Sequence, residues 1–298
     1  MKRVLITGKG SYVGTYVANW LQRHSDEFEI EILDMLDEEW SHFDFHGFDS
    51  VYHVAGIAHA DISHVSEETK QLYYKVNCDL AVQTAKIAKE AGVKQFIYMS
   101  SLLVYGDRGN GSYRNKELIG RETTPKPSNF YGDSKWQAEQ KLSELACDAF
   151  QIAILRPPMI YGLGCKGNYN GLRKIAMKSP LFPKFENQRS VLFIGNLSEF
   201  VRLLILDGRG GVFWPQDPTF VRTSDFIREI ANAHGKKPWI TKSLNWLVPV
   251  GACFPGKIGS LVNKAFGSLA VDAALSKEFE GKYQLFTFEE SIRQTEAQ

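Results

Sequence analysis

The 298-residue chain reads as an α/β protein, a doubly wound parallel sheet followed by a smaller C-terminal α/β cap. Three observations predict this. Short apolar runs alternate with helix-length amphipathic stretches as far as about residue 160, the rhythm of a parallel sheet with helical crossovers. The first apolar run stops at a glycine-rich turn that leads directly into a helix. Beyond Pro157 and Pro158 the rhythm becomes irregular and Gly and Pro punctuate it.

Each element has its own local reason. Residues 4–6 form a short apolar run ended by glycines, suited to a buried parallel strand. A helix pattern covers 12–23, a second strand 30–33 stops at Asp34, and a third covers 51–54. Residues 67–91 form one long helix with Leu72, Val76, Leu80, Ala81, Thr84, Ile87 and Ala88 on a repeating face, closed by Gly92. Strands at 96–99 and 152–155 flank a helix that carries Tyr131 and Lys135 and runs to about Asp148. Later helical runs cover 172–178, 197–207 and 224–234, and a final helix starts at Phe288 behind a Thr287/Glu290 capping box. The expected division is 1–160 for a Rossmann dinucleotide-binding domain with the Tyr131 helix. Residues 161–298 are mainly substrate-binding, with the chain returning to the sheet.

Bulk properties exclude several classes. Hydrophobic residues at 44% and charged residues at 23% match a globular protein. A formal net charge of +1 gives no global field for nucleic acid. Lys236 and Lys237 are the nearest approach to a basic cluster and read as a solvated loop. Cys78, Cys147, Cys165 and Cys253 stand far apart with no Cys-x-x-Cys pair, so no metal site or disulfide framework is expected. The apolar N-terminal run is too short for a signal peptide, and no stretch of about 20 apolar residues could span a bilayer. A cytoplasmic location is expected. Residues 244–267 are apolar but broken by Pro249, Pro255 and glycines; they read as short helices, with peripheral membrane contact as the alternative.

The turn Gly8-Lys9-Gly10-Ser11-Tyr12-Val13-Gly14 lies between strand and helix, where backbone N–H groups can cradle a pyrophosphate. Asp34 follows the second strand, 20 residues past Gly14. A carboxylate there accepts hydrogen bonds from the adenosine ribose and repels a 2′-phosphate, which favours NAD over NADP. Tyr131 and Lys135 are four residues apart and so share a helix face. An ammonium beside a phenol favours the phenolate, and its pKa is expected to fall below about 10. With a hydroxyl-bearing Ser100-Ser101 upstream, the set points to hydride chemistry on an alcohol or ketone.

Further motifs follow in order: Val54-Ala55-Gly56 after His53, Asn77, Ser101 through Gly106, Tyr131 to Lys135, and Leu155-Arg156-Pro157-Pro158. With these the chain resembles the extended short-chain dehydrogenases/reductases, the NAD-dependent epimerase/dehydratase family acting on nucleotide sugars. The resemblance implies Tyr131 as acid/base, Ser101 as a hydrogen-bond partner of the reacting oxygen, and Lys135 on the nicotinamide ribose. It places Val54, Ala55, Gly56, Asn77 and Pro157 around the cofactor, with Asn77 bending its helix, and His53 behind the cofactor loop; an exposed mid-helix polar residue is the equal alternative for Asn77. His59 and His64 form no recognised ligand set.

Within the family, Leu102-Leu103 stands where members that eliminate water from the sugar carry an Asp-Glu pair. The 161–169 segment resembles the substrate loop and puts Asn168 on the substrate. Arg189 falls where an arginine faces the diphosphate. Two departures stand out: Ser11 replaces the middle glycine of the turn, and Gly195 replaces an Asp. The expected substrate is a UDP-hexose or UDP-N-acetylhexosamine, and the expected reaction is 4-epimerisation. NAD(P)H-dependent reduction of a 4-keto sugar and a non-catalytic dinucleotide sensor are the alternatives. A homodimer through the 67–91 and 129–148 helices is compatible with the face of Trp136, Leu142 and Leu145, as is ordinary core packing.

Overall fold

The computed structural model describes residues 1–58, 65–106 and 117–297; His59 and His64 lie outside them. A six-stranded parallel sheet organises the chain. Its strands are β1 (Lys2–Thr7), β2 (Phe28–Leu33), β3 (Ser50–His53), β4 (Gln95–Met99), β5 (Gln151–Leu155) and, from the second half, a strand at Gly211–Phe213. The spatial order is β2-β1-β3-β4-β5 and then the late strand, which pairs Ala153 with Gly211. Order reverses beside β1, so the ends of β1 and β3 open a crevice at the carboxyl edge, where such sheets bind ligands.

Helices α1 (Tyr12–Gln22), α2 (Glu67–Tyr74), α3 (Leu80–Glu90) and α4 (Phe130–Ser143) cross between these strands. α4 stops five residues short of the expected Asp148, because the chain turns back through a Cys147–Phe150 bridge into β5. Residues 34–49 hold only a short 3-10 turn (Glu38–His42). Phe45 and Phe48 from this stretch instead bury themselves on the sheet face shared with α3 and α4.

The second half adds β6 (Met159–Tyr161), α5 (Asn168–Lys178), β7 (Leu181–Pro183), β8 (Val191–Phe193) and α6 (Ile194–Asp207). After the late sheet strand, β9, come α7 (Thr223–Ala233), β10 (Trp239–Thr241), α8 (Leu247–Cys253), α9 (Lys257–Phe266) and α10 (Phe288–Glu296). The expected Thr287/Glu290 capping box starts α10. α6 packs on α1 against the other sheet face, joining an aromatic core of Tyr161, Tyr169, Phe193, Phe226 and Phe288.

Gly195 has a physical reason. A Cβ there would lie 2.7 Å from the Phe193 ring and 2.8 Å from the Phe286 ring, so no aspartate fits. A buried acid from another part of the chain lies nearby: Asp217 accepts from Asn196 Nδ2 at 2.8 Å, the Phe193 N–H at 3.0 Å and the Tyr161 hydroxyl at 2.9 Å.

Burial raises the Asp217 carboxyl to about 6, against the pull of those donors. The folded state therefore holds this proton to a higher pH than the unfolded chain, which ionises near 3.8. The resulting stability is complete below about pH 4 and is lost as pH rises through about 6. Asp217→Asn, which cannot ionise, should gain on the parent by roughly 1–3 kcal/mol between pH 4 and 7. Urea unfolding of both proteins across that range checks it; a gap that is flat or moves the other way contradicts it.

Candidate active site

Every residue expected to hold the cofactor follows the carboxyl end of a strand or lies on a helix packed there. Gly8 follows β1 and takes φ +88°; a Cβ on it would press on the Ala55 backbone at 3.0 Å. The glycine thus lets the turn after β1 close onto the turn after β3. Gly10, at φ +72°, faces open space with nothing within 4 Å of a built Cβ. Ser11 is the N-cap of α1, and its Oγ accepts from the Gly14 N–H at 3.2 Å. That bond accounts for Ser11 at the middle glycine position: the side chain turns inward to cap, and its O–H can still donate. Val13 and Val54 pack against the sheet core. Tyr12 crosses to the second half, where its hydroxyl meets Gly162, and Tyr16 donates to the Leu163 carbonyl at 2.9 Å.

Asp34 directly follows β2, beside the glycine turn, whose Gly8 N–H donates to the Leu33 carbonyl at 3.0 Å. One Asp34 oxygen accepts from the Leu36 N–H at 3.0 Å, which fixes the carboxylate. His53 is fully buried, hydrogen-bonded to Thr7 Oγ at 3.0 Å and stacked on Phe96. Burial, aided by Lys135, pushes it down to about 3 and keeps it neutral.

Asn77 lies in a π segment, Lys75–Asp79, between α2 and α3. It is fully buried, not an exposed polar residue. Its Oδ1 accepts from the Ile57 N–H at 2.9 Å, and its Nδ2 donates to the Ile57 carbonyl and to Ser134 Oγ, both at 3.1 Å. The Tyr98 hydroxyl donates to the Asn77 carbonyl at 2.7 Å. Asn77 therefore ties the turn after β3 to the helix carrying Tyr131. A Cβ on Gly56 would lie 3.0 Å from Asn77 Oδ1 and 3.2 Å from Lys135 Nζ, so glycine is needed for the three to meet.

Tyr131 is in the first turn of α4, capped by Asn129 Oδ1 on the Gly132 N–H at 2.9 Å. A Cβ on Gly132 would fall 2.4 Å from the Leu103 carbonyl. That close approach presses α4 onto the 3-10 turn Leu102–Tyr105, whose N-cap is Ser101. Ser101 Oγ accepts from the Leu103 N–H at 3.2 Å, and its side chain lies close enough to Tyr131 to ease ionisation of the phenol. Ser100 points the other way and donates to Glu139 in the core. The two neighbouring serines thus turn to different surroundings: Ser101 lies beside the phenol and Ser100 bonds Glu139 in the interior. Pro157, buried after β5, gives its carbonyl to the Leu102 N–H at 2.9 Å.

The phenol departs from expectation. Burial holds Tyr131 above its ordinary value, only partly opposed by Ser101. The reason is visible at Lys135, which is 5% exposed and donates to the Met99 carbonyl at 2.8 Å, not to Tyr131. Burial brings Lys135 down to about 7, and the Glu139 carboxylate, one turn further on, opposes that fall.

Glu139 and Arg156 were not singled out from sequence as functional. Arg156 Nε donates to Glu139 at 3.0 Å and its Nη1 to the Tyr105 hydroxyl at 2.5 Å. Trp214 Nε1 donates to the same hydroxyl at 3.0 Å. The available signal was spacing: Tyr131, Lys135 and Glu139 step by four along one helix face. Leu142 is buried in this unit, and Trp136 and Leu145 pack against its core.

The two residues expected on the substrate lie apart from this cluster. Arg189 is two residues before β8, which pairs with β6 through Met159 and Val191. Its guanidinium donates to the Lys264 carbonyl at 2.7 Å, and no carboxylate among the described residues pairs with it. Asn168 is exposed at the start of α5. Neither is brought to Tyr131 by a contact within the chain.

The residues fit a dinucleotide: a positive-φ glycine over open space at the start of α1, an acid past β2, and an ammonium and an amide converging on Gly56. Because the Glu139–Arg156 pair is buried, removing one partner strands the other charge. Glu139→Gln should cost ~3–5 kcal/mol in urea unfolding. A loss below ~1 kcal/mol contradicts the assigned role.

Known proteins share this plan. A sequence profile of the NAD dependent epimerase/dehydratase family matches residues 4–202. The UDP-glucose 4-epimerase of Vibrio cholerae is 30% identical, over 99% of this chain and 94% of that protein. The N-acetyl-alpha-D-glucosaminyl-diphospho-ditrans,octacis-undecaprenol 4-epimerase of Escherichia coli O157:H7 is 30% identical over 78% of this chain and 73% of that one. Among solved structures, the UDP-N-acetylglucosamine 4-epimerase from Bacillus cereus has a TM-score of 0.74 at 15% identity, covering 98% of this chain and 97% of that one. The Thermus thermophilus UDP-glucose 4-epimerase complexed with NAD has a TM-score of 0.71 at 19% identity, with the same coverage.

Proposed function

Because the chain belongs to the NAD-dependent epimerase/dehydratase family, we propose that it inverts C4 of a UDP-hexose or UDP-N-acetylhexosamine. The observation that carries this reading is Tyr131 beside Ser101 with the buried Lys135 amine one helical turn along α4. It is the minimum equipment for moving a proton on and off a carbinol oxygen. The two residues after Ser101 are Leu102 and Leu103; they supply no acid or base for a sugar dehydration, and epimerisation needs none there.

The turn from Gly8 to Gly14, Asp34, the Val54–Gly56 turn, Asn77 and Pro157 would hold NAD, which when bound would accept and return the C4 hydride. Tyr131 takes the C4 hydroxyl proton and later gives it back. Ser101 donates a hydrogen bond to the same oxygen and limits where C4 can sit. Lys135 bonds the ribose hydroxyls, and Glu139 helps it stay charged. The phenol of the free protein is protonated, so its pKa must fall as the complex assembles. The Ser101 hydrogen bond and a nearby cation act in that direction. Arg189 offers a guanidinium fork to the diphosphate, and Asn168 an amide at the start of α5. Rotation of the 4-keto sugar between the two half-reactions exposes its other face.

A second reading keeps this chemistry and changes the carrier. The Escherichia coli relative is named for a sugar diphosphate on a polyprenol, and the set around Tyr131 does not contact the carrier. Incubation with UDP-glucose, UDP-N-acetylglucosamine and a polyprenyl-diphosphate N-acetylhexosamine, followed by product chromatography, tests both. Interconversion with no net nicotinamide absorbance change is expected. Net consumption of reduced cofactor with a 4-keto sugar would make the protein a reductase instead. Tyr131→Phe should lower turnover by about 10²–10⁴-fold while cofactor and substrate still bind. Unchanged turnover in that variant would remove the mechanism.

A further inference from the structure

We propose that the α8–α9 hairpin is a docking surface for an anionic phospholipid bilayer. Charge is the first observation. Between Glu229 and Asp272 the sequence has five lysines, no arginine and no acid. The whole chain is close to neutral at +1, so this segment is a local cationic field that the bulk balance conceals. Lys236, Lys237, Lys242 and Lys264 are exposed.

The second observation is apolar surface among those lysines. Trp239 is 71% exposed, Trp246 61%, Phe254 54% and Leu261 64%, with Leu247 and Val250 also open. The other exposed large hydrophobics of the described residues are scattered singly along the chain, which needs no explanation. Two exposed tryptophans beside lysines are the composition of a membrane-interface element, where an indole keeps one edge in the headgroups.

The third observation is that the hairpin already has a separate inner face. Val248 and Phe266 are buried, and Phe266 stacks on Phe182 with centroids 5.5 Å apart. Asn245 donates to the Lys184 carbonyl at 2.8 Å. The open side chains are therefore not a core awaiting closure; the hairpin is anchored inward and apolar outward. No helix among the described residues is long and apolar enough to cross a membrane, so the element lies on the surface of a bilayer. Arg189 donates to the Lys264 carbonyl at the end of α9, so docking would set this arginine beside the headgroups. The proposal does not rest on the reaction assigned above.

The test is co-sedimentation of the full chain with vesicles of phosphatidylcholine alone and of phosphatidylcholine mixed with phosphatidylglycerol. Binding to the mixed vesicles is expected, with little to phosphatidylcholine. Trp246→Ser with Phe254→Ser, and separately Lys242→Glu with Lys264→Glu, which stand just before α8 and on α9, should each weaken it about tenfold or more. Thermal unfolding of each variant serves as the check on folding. Should the variants not fold, brominated lipid in the mixed vesicles should quench the tryptophan fluorescence of the parent protein. No binding to mixed vesicles, variants that bind like the parent, or absent quenching overturns the proposal. So does an oligomer that Trp246→Ser with Phe254→Ser dissociates without affecting sedimentation, which would give this face to a second copy of the chain.

Discussion

One buried ammonium sets the geometry of the site. Lys135 is nearly inaccessible, bonded to the Met99 carbonyl and held 4.8 Å over the Tyr98 ring. A charge in that position needs compensation. Glu139 provides it from one turn along α4 and is itself matched by Arg156 from the end of β5. The chain of contacts allows α4 one register against β4 and β5. Four residues before Lys135, that register brings the Tyr131 hydroxyl to Ser101. The same ammonium approaches Gly56, where Asn77 also arrives. Tyr131, Ser101 and the turn at Gly56 thus gather around one buried amine.

Much of this was legible in the sequence because it depends on spacing. Short apolar runs ending in Gly, Asp or Ser mark strands whose carboxyl ends face a crevice, and an i,i+4 Tyr/Lys pair marks one helix face. Ser101 was distinguishable from Ser100 by motif, and the structure adds the reason: Ser100 is committed to Glu139. What could not be read depends on three-dimensional burial. The Tyr131 phenol is raised because desolvation outweighs its one favourable hydrogen bond, and no sequence distance reports that balance. Arg189 turns to carbonyls at the end of α9, a contact between residues 75 positions apart. Asn77 looked equally like a surface polar residue, since only the π segment turns it inward.

The departures from the family pattern are local substitutions with local compensation. Ser11 forfeits a glycine and gains a helix cap. Gly195 forfeits an acid because two phenylalanine rings occupy its space, and the adjacent Asn196 bonds Asp217 instead. Neither change reaches Ser101, Tyr131 or Lys135. Variation is absorbed where packing can exchange partners, while the ladder from Tyr131 to Arg156 has no spare contact through which to relax.

The central claim is that the hydrogen on C4 leaves and returns as hydride while Tyr131 takes and returns the C4 hydroxyl proton. The most direct measurement uses a UDP-hexose deuterated at C4 and follows the label by NMR in the epimerised product. The account predicts deuterium retained at C4 and none released to water. Washout of the label into solvent would mean that C4 exchanges its hydrogen as a proton, and the account would be wrong.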